Sequence, residues 1–266
     1  MLMVRPASVS GRFYPGDPVL LEREVDRLLS EVVVPPEDPM PKALIVPHAG
    51  YVYSGPVAAS GYARLLRTGG SLERVVLLGP SHHVPFHGLA LPKSDAFETP
   101  LGIVEIDLEA LARIPQVRRS DAIHRSEHSL EVHLPFLQRV APKAKLVPLA
   151  VGEATPFQVA EVLEALWGGP ETVIVVSSDL SHYLSYRECQ AMDEETVRQI
   201  LRLDPTLAQG SACGAAPVAG FLEAARRKRL HPLLLDLRNS GDTAGGQDEV
   251  VGYGAFAFFE TGSGHP

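Results

Sequence analysis

Three short aliphatic segments, at 43–46, 74–78 and 172–176, constrain this chain more than any other feature in it. Successive side chains of a strand point to opposite faces, so an unbroken apolar run must be covered on both. Strands of that kind sit at the centre of a sheet layered with helices, and they favour parallel pairing. Segments 145–151 and 250–259 read as further strands, the second running antiparallel at a closing position, with 88–91 and 233–237 as weaker candidates. Helical stretches fall at 19–31, 56–66, 108–113, 129–140, 156–167, 193–203 and 215–229. Asp17 followed by Pro18 pre-orders the first of them, a capping side chain next to a residue whose φ already suits a helix. The Pro-rich stretch 35–41 reads as a loop and the tail 261–266 as frayed. No linker or repeat divides the chain, and 266 residues can still share one core. The expected fold is one α/β domain over 1–266, a central mixed, largely parallel β-sheet with helices on both faces.

Composition removes several function classes. No apolar run approaches the roughly 20 residues of a spanning helix, and residues 1–15 carry no secretory pattern, so a cytoplasmic protein without membrane contact is expected. The net charge of −8 argues against nucleic acid, whose phosphates need concentrated Lys and Arg. The basic run Arg226-Arg227-Lys228-Arg229 is better placed as the charged C-terminus of a helix. Cys189 and Cys213 match no zinc spacing and are read as free thiols.

Polar, ionisable residues follow each central run at once: Pro47-His48-Ala49-Gly50-Tyr51, Gly79-Pro80-Ser81-His82-His83 and Ser177-Ser178-Asp179-Leu180-Ser181-His182. Ligands of open α/β sheets bind beyond the carboxyl ends of the strands. Any one of these histidines is most simply a loop residue satisfied by a hydrogen bond. Their recurrence at one topological position favours a shared pocket. A fourth segment, from His124 to His133, places Glu127, His128, Glu131 and His133 around an expected helix start, where they either hold the ligand residues in place and cap the helix or touch substrate. His128 and His133 are five apart and would diverge, so they do not form the two-histidine pair of zinc peptidases. The fifth, Ser240-Gly241-Asp242-Thr243-Ala244-Gly245-Gly246, is a glycine-rich turn before the last strand. Two imidazoles and a carboxylate form the facial set of non-haem iron enzymes, and Asp242 and Asp179 are the available carboxylates.

Together with Gly11-Arg12-Phe13-Tyr14-Pro15, these segments resemble the Memo family, whose bacterial and archaeal members are called AmmeMemoRadiSam system protein B. The resemblance covers nearly the whole chain and implies a fold similar to class III extradiol dioxygenases, which open catechol rings with iron(II) and oxygen. It puts the metal-binding histidines on His48 and His82 and the catalytic base on His182, with Asp179 beside it as an orienting residue. Eukaryotic members offer a cysteine in the loop before the last strand; here Thr243 stands at that position with Asp242 next to it, which makes Asp242 the expected third ligand. Tyr51, His83, Glu127, His128, His133 and Thr243 are the expected substrate contacts. The resemblance further implies a divalent metal, iron(II) first and zinc or copper next, acting on a small molecule. The alternative is a metal- or ligand-binding adaptor, or an accessory partner of radical SAM and AMMECR-type proteins.

Overall fold

The computed structural model describes residues 2–208 and 210–261, so most of the tail expected to fray lies outside the described residues. In chain order the strands are β1 (Val4–Arg5), β2 (Ala43–Val46), β3 (Arg74–Pro80), β4 (Leu89–Leu91), β5 (Ala96–Thr99), β6 (Gly102–Glu105), β7 (Arg118–Arg119), β8 (Lys145–Val151), β9 (Thr172–Ser177), β10 (His182–Leu184), β11 (His231–Asn239) and β12 (Val250–Phe259). The helices are α1 (Pro18–Ser30), α2 (Tyr51–Tyr62), α3 (Leu108–Leu111), α4 (Asp121–His124), α5 (Leu134–Val140), α6 (Pro156–Leu166), α7 (Tyr186–Leu201) and α8 (Ala215–Lys228). The main sheet runs β10-β12-β2-β9-β3-β8-β4-β7, with β11 also on β12.

Strands β2, β9, β3 and β8 are mutually parallel, and β12 closes against β2 antiparallel. Every residue of β2 and β9 is buried, so both faces of the sheet centre are covered, as their unbroken aliphatic runs require. Helix α2 packs on β2 and β12, while α6 and α8 pack together, α8 lying on β3 and β9. The result is an α/β fold with a mixed sheet. Among the described residues no helix is long and apolar enough to cross a membrane.

Local chemistry explains where the elements depart from expectation. Helix α2 begins five residues before Pro56, which lies inside it instead of opening it. Segment 129–140 is not one α-helix; a 3-10 turn at Glu131–His133 precedes α5. Helix α7 starts at Tyr186 because Ser185 and Glu188 form a capping box, a reciprocal pair that satisfies two free N–H groups. A separate small sheet of β1, β5 and β6 pairs the N-terminus with a distant hairpin, which short, half-polar strands do not announce.

The N-terminal segment is pinned next to the site. Glu131, fully buried, accepts hydrogen bonds from the backbone N–H groups of Ser8 and Val9, from Tyr14 Oη and from Arg5 at 2.7 Å. A buried carboxylate with this many donors stays ionised and fixes the chain that donates to it. Phe13 is thereby held against the ring of His128, 4.9 Å between centroids.

Candidate metal centre

Because β2, β9 and β3 are adjacent and parallel, their carboxyl ends open on one edge of the sheet, and each is followed within two residues by an ionisable side chain. His48 lies two residues beyond β2, His82 two beyond β3, and Asp179 two beyond β9. His182 opens β10, paired to Val251 of β12. The four line one cavity of about 710 Å³ with His128, Phe13, Tyr53 and Tyr253.

Hydrogen bonds fix which nitrogen of each ring is free. Ser177 Oγ donates to the Ser129 carbonyl at 2.6 Å, so it accepts from His48 Nδ1–H, also at 2.6 Å. The Glu127 carboxylate accepts from His82 Nδ1–H at 2.9 Å and from the His82 backbone N–H at 2.6 Å. The Leu180 carbonyl accepts from His182 Nδ1–H at 2.8 Å. In all three rings Nδ1 carries the proton, which leaves Nε2 with its lone pair as the nitrogen for a ligand.

Burial and hydrogen bonding set the charge of the groups behind this edge. Burial above all, then the neighbouring imidazoles, drives His48 well below its ordinary pKa, so it stays neutral. Burial would raise Glu127, but hydrogen bonds from His82 and Ser129 outweigh it and hold the carboxyl down to about 2. Glu127 is therefore an ionised anchor behind His82. His128, lowered mainly by burial to about 4, stacks on His82 with centroids 4.6 Å apart.

The residue that sequence reasoning did not place here is Cys213. Its Sγ lies 3.3 Å from His48 Nε2 and accepts the Asp179 backbone N–H at 3.3 Å. Both cysteines are free thiols, as expected, and Cys213 also completes a set of donors that could hold a metal: His48, His82 and Cys213 each offer a ligand atom, all within 4.8 Å of one another. Burial, reinforced by Asp179, raises the thiol pKa, so a cation is needed to draw off its proton. The clue in the sequence was the pair Cys213-Gly214 just before a helix. A Cβ on Gly214 would meet the Ser177 carbonyl oxygen and Ser178 Oγ at 2.7 Å, so glycine there lets the start of α8 touch the end of β9.

Asp242 does not join these donors. It is exposed; its carboxylate accepts from Tyr186 Oη at 2.5 Å and from the Asn239 backbone N–H at 2.9 Å, capping the turn before β12. Thr243 turns its hydroxyl to the Ser240 carbonyl. Asp179, nine-tenths and more buried, accepts the His48 backbone N–H at 2.7 Å, and burial raises its pKa. Tyr51 is buried with its hydroxyl on the Val132 carbonyl, His83 is exposed, and His133 is buried beside Tyr62. None of those three lines the cavity. Glu127 is 1% exposed, with its oxygens turned to His82 and Ser129, whereas His128 does line the cavity.

Two imidazoles with Nε2 left open and a thiol, held in register by hydrogen bonds, suit a cation of borderline to soft character. Comparison with known proteins agrees with the motif reading. A family model described as Memo-like protein matches residues 5–257. A MEMO1 family protein of Aquifex aeolicus is 36% identical over 268 residues, covering 95% of this chain and 98% of the relative. One from Archaeoglobus fulgidus is 36% identical over 274 residues, covering 96% and 99%, and one from Methanopyrus kandleri is 34% identical over 281 residues, covering 96% and 99%. On a match that spans the sheet, the histidine-lined edge and the last strand alike, the chain belongs to the Memo family.

Proposed function

We propose that this protein is a metal-dependent, oxygenase-like enzyme acting on a small molecule, with the ion held by His48, His82 and Cys213. The observation that carries the reading is the convergence of those three donors at the sheet edge, with both ring tautomers set by Ser177 and Glu127. Iron(II) is the proposed ion, on the likeness of the motifs to class III extradiol dioxygenases; zinc or copper(I) would also suit a site containing a thiolate. When bound, such an ion supplies Lewis acidity and open coordination positions.

The chain's own residues supply the rest. His182, its Nδ1–H committed to Leu180, accepts or returns a proton at Nε2 within the cavity. Asp179 fixes the approach of His48 through the backbone N–H and so acts as a positioning residue. Phe13 and Tyr253 make apolar walls suited to a planar substrate, and Arg12 at the rim favours an anionic group.

The test is oxygen uptake by protein loaded anaerobically with iron(II) and screened against catechols and related phenols. Uptake that needs both substrate and iron, and falls at least about 100-fold in His182→Ala, is the expected result. Stoichiometric metal without uptake on any substrate would leave a binding protein instead.

A further inference from the structure

The donors at the sheet edge outnumber those one ion on His48, His82 and Cys213 would use. Asp179, His182 and Cys213 form a second group whose ligand atoms also lie within 4.8 Å of one another, and Cys213 belongs to both groups. We propose that the centre takes two metal ions bridged by the Cys213 sulfur, the second held by Asp179 and His182. The inference rests on the reading above for the first ion and extends it.

Three features support the second position. His182 has its Nδ1–H on the Leu180 carbonyl, which leaves Nε2 as a ligand nitrogen of the kind His48 and His82 present. Asp179 is a buried carboxylate without an Arg or Lys partner among its described contacts; one oxygen takes the His48 backbone N–H, and the other lies 3.9 Å from His48 Nε2. A carboxylate in such surroundings is costly unless a positive charge meets it. The sulfur lies between the groups, 3.3 Å from both His48 Nε2 and the Asp179 backbone nitrogen, and a thiolate has lone pairs for two ions.

Binding of the first ion releases the thiol proton to solvent. The thiolate and the Asp179 carboxylate then offset the repulsion between neighbouring cations. Nitrogen, oxygen and sulfur donors together suit zinc, cobalt(II) or iron(II). The second ion takes the same Nε2 that moves protons in the one-metal form, so excess metal should silence turnover by occupying the acid–base residue.

Anaerobic cobalt(II) titration of the full chain, followed through thiolate-to-cobalt absorption, tests this. Wild type should bind two equivalents, the absorption growing over both because both ions touch Cys213. His182→Ala and Asp179→Asn should each stop at one equivalent with the thiolate band retained, and that retained equivalent shows that the variant is folded. One equivalent in wild type and in both variants would overturn the second position and leave the first standing, as would a single ion drawing on all five donors. Two equivalents persisting in His182→Ala and Asp179→Asn would also overturn it. No cobalt bound to wild type would overturn this inference and the proposed function together.

Discussion

At the scale of single residues, the histidine rings are set by what stands behind them. Glu127 is the clearest case, because its carboxylate takes both the backbone and the Nδ1 hydrogens of His82 and is held ionised by them. Glu127→Gln keeps the shape and removes the charge. Metal affinity should fall roughly 10–100-fold, the usual effect of losing an outer partner of a ligand histidine. Calorimetric titration of apo protein checks this, and an unchanged affinity would mean that His82 is oriented by something else. The position of His82 was legible in the sequence, since it leaves an apolar strand directly. Glu127 was also noticed, but its task was not legible: the contact spans 45 residues and depends on how segment 124–133 folds back over the end of β3.

At the scale of elements, strand order and the approach of α8 build the site. The parallel trio β2, β9 and β3 could be read from three aliphatic runs, and with it the common edge for His48, His82 and Asp179. Cys213 could not be placed so, because it arrives on a loop from the far side of α7 and its docking depends on close backbone contact at Gly214. Asp242 was legible only as a carboxylate near a flexible turn. Its real partners, Tyr186 and Asn239, lie on the end of one helix and one strand and show it to be a cap. Gly214→Ala forces a methyl group to within 2.7 Å of the Ser177 carbonyl, so the start of α8 must shift. A loss of about 1–3 kcal/mol in denaturant-measured stability is expected, as for other overpacked sites, with metal binding weakened more than stability alone explains. Wild-type behaviour in both measurements would show that the contact is slack and that Cys213 is held another way.

At the scale of the whole molecule, buried imidazoles make stability depend on pH. Burial lowers His124 and His128 to about 4 and His133 to about 3, and drives His48 well below its ordinary value. The unfolded rings titrate near 6.5, so below that pH the unfolded chain binds more protons than the native one, and folding loses ground. Each ring lowered to about 4 would remove on the order of 3 kcal/mol by pH 4. Asp179 and Asp193, both raised by burial, work in the opposite sense below their elevated pKa values, but they are two groups against four. Urea unfolding of the apo protein should therefore show full stability above pH 6.5 and a steep decline from there to pH 4. Glu127, ionised down to about 2, adds a further loss between pH 4.5 and 2. A flat profile between pH 7 and 4.5 would mean the rings are protonated in the native state.

The central claim is that the metal is held by His48, His82 and Cys213, with Asp242 left to its turn. Metal titration of apo Cys213→Ser and Asp242→Ala under anaerobic conditions, with zinc competition to measure affinity and cobalt(II) to report sulfur ligation, tests it most directly. Cys213→Ser should lose the thiolate-to-cobalt absorption and bind the first ion at least about 100-fold more weakly, more than losing a hydrogen-bond partner of a ligand costs, while Asp242→Ala binds like wild type. Tight cobalt binding in Cys213→Ser together with loss of metal in Asp242→Ala would contradict the account.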